Sequence, residues 1–171
     1  LIHLASFFRK NLKRQADLAT LGEELEHVSA YLEIEKARFA DRITVETEID
    51  GSLLDLRLPT FTLQPVVENA FKHGLSHMMK PGVARIRAYR QGAAALIEVE
   101  DNAGAYQDPG DQGGLGMRIV DKRIKNLMGL EFGLTVSCVA QELSRVTIRD
   151  PIPAATAGSA APAPAAVPRL Q

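Results

Sequence analysis

The chain has 171 residues, 46% of them hydrophobic, with 20 Lys and Arg set against 21 Asp and Glu. That length supports one domain of ordinary size with a real core, and the balanced charge gives no overall pull toward nucleic acid or an acidic membrane surface. A single cysteine, Cys138, excludes an intrachain disulfide framework, argues against a thiolate zinc site and fits a reducing compartment. No apolar run approaches the ~18 residues of a membrane span, and the N-terminus lacks the pattern of a signal peptide. The sequence opens in mid-pattern at Leu1 without Met, so we expect a piece of a longer protein with any membrane part upstream.

Leu1, Leu4, Phe8 and Leu12 recur at helical spacing, which predicts a helix to about Leu18 with Arg9, Lys10, Lys13 and Arg14 on a solvated face. Thr20 and Glu23 have the spacing of a capping box, where a new helical segment starts. Leu18, Leu21, Leu25, Val28 and Leu32 then step by threes and fours, a stripe that fits either a short coiled coil or packing on the domain's own core. From Arg42 the period becomes two, and Ile43, Val45 and Ile49 predict a strand ending at Asp50-Gly51. Leu54 to Leu58 reads as a short second strand, and Thr60 or Thr62 as the cap of a helix whose buried stripe is Leu63, Val66, Val67, Ala70 and Phe71. Pro65 is tolerated in that helix's first turn, and Gly74 reads as its stop. Val83–Arg90 and Ala94–Asp101 alternate around Gln91-Gly92 and predict a β-hairpin. Residues 103–113 read as a mobile loop, Gly116 to about Met128 as a helix, and Leu134–Val139 with Arg145–Arg149 as a final hairpin. The Ala/Pro-rich residues 154–171 read as a disordered tail.

Two stretches carry chemistry. On the helix around residue 69, Gln64, Glu68 and Lys72 lie at i, i+4 and i+8, with Asn69 and His73 beside them. By itself this is the wet face of an amphipathic helix, with Glu68 and Lys72 an ordinary ion pair. In the second stretch Asp101 shares parity with Ile97 and Val99, so a carboxylate faces the covered side of a strand and needs partners. It can accept a hydrogen bond from an exocyclic amine, which suits adenine better than guanine. Gly113, Gly114 and Gly116 allow close backbone approach ahead of a helix whose N-terminus favours phosphate. Asn69 can offer its carbonyl oxygen to Mg²⁺, and Lys72 can meet phosphate charge.

The order of these parts, an Asn-bearing helix, a strand ending in Asp101-Asn-Ala-Gly104, a loop and Gly114-Leu-Gly-Met117 opening a helix, resembles the N, G1 and G2 boxes of the GHKL (Bergerat-fold) ATPases. Within them, Tyr31-Leu-Glu-Ile-Glu-Lys-Ala-Arg-Phe39 and Leu63-Gln-Pro-Val-Val-Glu-Asn-Ala-Phe-Lys-His-Gly74 are similar to the LytS/YehU type of sensor histidine kinase. The resemblance spans about Leu1 to Pro153. It implies a two-layer α/β sandwich, with a mixed, largely antiparallel sheet under three helices and an N-terminal helical segment. It divides the chain into residues 1–38, the remainder of a dimerisation and phosphotransfer element, residues 39–153, the ATP-binding domain, and the tail 154–171. It implies ATP and Mg²⁺ as cofactors, with Asn69 on the metal, Lys72 on phosphate, His73 beside base or phosphates, Asp101 on the adenine amine, and Gly104, Gly114 and Gly116 shaping the base edge and phosphate loop. Residues 103–113 would be the ATP lid.

The resemblance also implies a response regulator as partner, the protein's own dimerisation domain as phosphoacceptor, a homodimer in the full protein and no nucleic acid. The domain would be cytoplasmic, on a protein anchored in the inner membrane through upstream segments. Four residues before Asn69, where some GHKL proteins carry a catalytic acid, stands Pro65; Glu68 is a weak candidate for that role. Ala103 replaces the first glycine of the usual Asp-x-Gly-x-Gly box. None of His3, His27, His73 and His77 lies in the family's His-Phe-Leu-Phe-Asn context, so the chain is expected to bind Mg·ATP without phosphorylating itself. The alternatives are another GHKL ATPase, or a degenerate module that dimerises or signals without nucleotide.

Overall fold

The computed structural model describes residues 18–39, 42–105 and 114–153. The expected first helix with His3, most of the expected lid and the Ala/Pro-rich tail lie outside the described residues. In chain order the elements are β1 (Leu18–Thr20), α1 (Leu21–Phe39), β2 (Ile43–Ile49), a 3₁₀ turn (Gly51–Leu53), β3 (Arg57–Pro59), α2 (Leu63–Asn69), β4 (Gly82–Gln91), β5 (Ala94–Asp101), α3 (Leu115–Met128), β6 (Gly133–Val139) and β7 (Leu143–Pro151). Beyond Asn69, α2 runs on through a wide π turn at Ala70–Gly74 and a 3₁₀ turn at Leu75–His77.

Five strands form one sheet in the order β2-β4-β5-β7-β6, and β1 pairs with β3 apart from it. Only β2 and β4 are parallel; the other neighbours in this sheet are antiparallel. This is the expected mixed sheet. One face carries Ala84, Ile86 and Ala88 of β4, Ala95, Ile97 and Val99 of β5, and Val146 and Ile148 of β7, all buried. Against them pack Val28 and Leu32 of α1, Val66, Val67 and Phe71 of α2, and Met117, Val120 and Ile124 of α3. The opposite face alternates out of phase and carries an ion lattice. Arg87 holds Glu98 at 2.8 Å and Glu100 at 2.6 Å, while Arg145 meets the same Glu100 at 2.5 Å. The two carboxylates are buried in mid-sheet because those guanidinium groups satisfy them.

The capping box forms as predicted: Glu23 N–H donates to Thr20 Oγ1 at 3.1 Å, and Thr20 N–H to Glu23 Oε2 at 2.7 Å. Of the two packings open to the 18–32 stripe, the structure takes the intramolecular one. Leu21, Val28 and Leu32 are at most 1% exposed in the domain's own core. The second expected strand shifts to Arg57–Pro59, because Leu54 N–H and Leu56 N–H turn back onto Gly51 O and Leu53 O. Gly74 does not stop α2 in a left-handed conformation; its φ is −107°. Neither threonine caps α2 as expected. Thr62 Oγ1 donates backward to Pro59 O, and the acceptor for the helix's first amides is Glu24, reaching over from α1.

Candidate nucleotide site

Asp101 ends β5 on the helix-covered face and is 3% exposed. Burial pushes its carboxyl above the ordinary range, and hydrogen bonds from Ala103 N–H, the Ser144 side chain and Gly104 N–H work against that rise. Ser144 lies directly across from Asp101 in the β5–β7 register, and its Oγ also accepts Ala105 N–H at 3.2 Å. Parity along β5 found the acid. Ser144 was missed, since only the pairing of β5 with a strand some 40 residues away selects it from the chain's other hydroxyls.

Gly74 is the contact that joins the two stretches. A Cβ there would lie 3.1 Å from Asp101 Oδ1 and 3.3 Å from Ala103 Cβ, so the end of α2 rests on the acid. The π turn at Ala70–Gly74 widens the helix at the segment that carries Lys72 and His73, directly after Asn69; such turns are frequent at functional sites. At the other end of α2, the first turn of α3 lies alongside, with a Cβ on Gly116 only 3.6 Å from Pro65 Cβ. Gly114 precedes α3 with open space around it, its carbonyl accepts Met117 N–H at 3.0 Å, and it gives the helix no side-chain cap.

The bland expectation for the helix face also holds. Lys72 Nζ is 2.6 Å from Glu68 Oε2, and Gln64 Nε2 donates to Glu68 Oε1 at 2.9 Å. Burial acts to raise the Glu68 carboxyl, but the bonds from Lys72 and Gln64 outweigh it and hold it below the usual range. A carboxylate so engaged is a weak proton acceptor. Lys72 keeps a 61% exposed side chain, and His73 is exposed beside it. Gly104 has a positive φ of 57° and sits on the β6–β7 turn, where Gln141 N–H donates to its carbonyl at 3.0 Å. A side chain at Gly104 would strike Val139 O at 2.3 Å. Thus Gly104 anchors the loop start to that turn, a reason for glycine that its sequence neighbours do not reveal. Among the described residues no cluster of three or more His, Cys, Asp or Glu could hold a metal.

Sequence comparison fits this geometry. Residues 1–43 match the family model described as histidine kinase. The sensor histidine kinase BtsS of Escherichia coli (strain K12) is 48% identical over 149 residues, which cover 87% of this chain and 27% of that protein. The sensor protein LytS of Staphylococcus haemolyticus is 38% identical over 109 residues, 63% of this chain and 19% of that protein. The chain is a relative of the LytS-type sensor histidine kinases. It spans only about a quarter of the length of the BtsS protein it matches. The histidine kinase AdeS of Acinetobacter baumannii superposes on this chain with a TM-score of 0.64 at 16% identity, over 88% of this chain and 78% of that one. The catalytic domain of histidine kinase ThkA does so at 0.57 and 15%, over 80% and 97%. At those identities the structural likeness establishes a shared fold and no more. No described helix of the LytS-type chain is long and apolar enough to cross a membrane.

Proposed function

We propose that this chain is the ATP-binding catalytic domain of a sensor histidine kinase, and that it supplies the γ-phosphoryl of Mg·ATP to a histidine outside it and from there to a response regulator. The observation that carries the proposal is Gly74 resting on Asp101, which brings the helix of Asn69 and Lys72 to the buried acid. The donor set suits an adenine nucleotide. Asp101 has donors in the loop after it and in β7, and Gly74 of the α2 segment packs on it. It would accept the adenine amine there. Asn69 would give a carbonyl oxygen to Mg²⁺, an ion that takes few protein ligands and keeps waters and phosphate oxygens, so a donor set without a carboxylate cluster fits it. When bound, the metal would offset charge on the phosphates. Lys72 would leave Glu68 to do the same, His73 would line the edge, and the first amides of α3, with Gly114 and Gly116 ahead of them, would face phosphate. Gly104 would act through the loop it anchors.

Phosphoryl transfer is mostly positioning and charge neutralisation, so a domain whose candidate base, Glu68, is already engaged by Lys72 and Gln64 suits a kinase whose nucleophile comes from elsewhere. The full protein would act as a homodimer, with this domain on the cytoplasmic side of an anchored sensor.

Thermal-shift titration tests the proposal. At ~100 Kd of Mg·ADP the chain should gain about 2.7 kcal/mol of stability. Asp101→Asn should lose the shift entirely, and Asn69→Ala should lose its magnesium dependence. No shift with any adenine nucleotide would favour the nucleotide-independent module.

A further inference from the structure

The helix α1 carries none of the candidate ligand residues, yet one of its acids is bonded to the entry of α2. Glu24 is 1% exposed. Its Oε1 accepts Phe61 N–H at 2.7 Å and its Oε2 accepts Leu63 N–H at 2.9 Å, so both oxygens are spent on the entry to α2. A buried carboxylate is costly unless hydrogen-bonded, and these two amides are what make this one tolerable. The turn they belong to is strained: Phe61 has a φ of 58°, a left-handed conformation that is unusual for a bulky residue. It is also held from several sides. Thr62 Oγ1 donates to Pro59 O at 2.5 Å, Arg123 Nη1 of α3 donates to Thr60 O at 2.8 Å, and the His27 ring of α1 stacks on Phe61 at 6.1 Å. A second contact lies nearer the site, where Tyr31 of α1 meets the Phe71 ring edge-on at 6.0 Å.

The Pro59–Leu63 turn is therefore a joint where α1 and α3 grip the start of α2. Six residues, about 9 Å of helix, separate Leu63 from Asn69. Over so short a helical span a shift at Leu63 would be passed on to Asn69, and from there to the π turn that carries Lys72. Asp101 is on β5 and is held by the sheet and the loop after it. Displacement of α1 would thus disturb the metal and phosphate end of the site while leaving the base end in place.

We propose that Glu24 is a positioning residue of the nucleotide site, through which the seating of α1 and the affinity for Mg·nucleotide are coupled. The proposal rests on the nucleotide-site reading given above. Coupling of binding free energies is reciprocal: whatever unseats α1 weakens nucleotide binding, and nucleotide tightens the seat by the same factor.

Amide hydrogen exchange on the whole chain reads this directly. Saturating Mg·ADP should slow exchange of the Phe61 and Leu63 amides by about fivefold or more. In Glu24→Gln an amide NH₂ faces a backbone N–H and one of the two bonds is lost. Its affinity for Mg·ADP should fall about tenfold, while its affinity for adenosine, which has no phosphate, should change by less than about twofold. Should that variant not fold, Arg123→Gln loosens the same turn from α3 and should show the same selective loss to a smaller degree. Unchanged exchange at both amides, or equal weakening of adenosine and Mg·ADP, overturns the coupling. A wild-type chain that binds neither ligand removes the nucleotide site itself and the proposal with it. One that binds both, with silent amides, removes the proposal alone.

Discussion

Gly104 has no room for a side chain. Its φ of 57° strains any L-residue, and a Cβ would approach Val139 O to 2.3 Å and the amide nitrogens of Gln141 and Glu142 to 2.5 Å. Those are backbone atoms of a turn and cannot swing aside. Gly104→Ala should therefore cost more than about 2 kcal/mol in urea unfolding, with or without ligand. Gly114 is the opposite case. It has a negative φ, and a Cβ added there would meet nothing within 4 Å, so Gly114→Ala should leave stability within about 1 kcal/mol of wild type. If the proposed phosphate approach is right, the same substitution should weaken Mg·ADP in calorimetry while adenosine is spared. Glycines that look alike in sequence thus divide into one whose backbone has no room for a side chain and one with open space around it. Asp101 divides similarly: parity with Ile97 and Val99 exposed its burial, but Ser144, its partner across the sheet, required the pairing.

Elements show which local signals are self-sufficient. The Thr20–Glu23 box is complete within four residues, so the sequence states it and the structure repeats it. Thr20→Ala should cost about 1 kcal/mol, seen as a lowered urea midpoint with unchanged slope. The start of α2 is the contrary example, since its cap comes from Glu24, 37 residues before Phe61, and no threonine nearby substitutes. Strand β7 holds another group that only packing isolates. Asp150 shares the covered face with Val146 and Ile148, is 0% exposed, and both its oxygens lack a hydrogen-bond partner. Burial pushes its carboxyl up to about 7 from an ordinary 3.8. A folded-state pKa above the unfolded one means the folded chain keeps the proton between those values. Its stabilising contribution is full below about pH 4 and is lost as pH rises through 7, by on the order of 3–4 kcal/mol. Urea midpoints measured from pH 4.5 to 8 should show Asp150→Asn gaining on wild type as pH rises. Parallel curves for the two chains would contradict that.

At the scale of the molecule, the sheet order β2-β4-β5-β7-β6 turns one face of every central strand toward three helices and leaves the other to an ion lattice. The fold brings the Gly74 end of the α2 segment onto Asp101 at the end of β5 and the first turn of α3 beside Pro65 near the start of α2, although these lie far apart in the chain. None of the chain's four histidines stands in a His-Phe-Leu-Phe-Asn sequence. Incubated with γ-labelled ATP and Mg²⁺, the chain should acquire no acid-labile label. Stable labelling would show that one of its own histidines accepts phosphate.

Alternation in β4 and β5, the helical stripe of α2 and the Thr20 box were legible because each depends on neighbours within a few residues, and backbone period converts spacing directly into a face. The helix that ends at Asn69 and the burial of Asp101 on its strand were legible for the same reason. The fate of the Leu21–Leu32 stripe was not, because an apolar stripe records that it must be covered and leaves open by what. Nor were the grip of Glu24 on α2, the Ser144 bond to Asp101 or the contact of Gly74 with that acid. Each depends on two backbone segments brought close together by the closing of the core, and sequence separation carries no information about that distance.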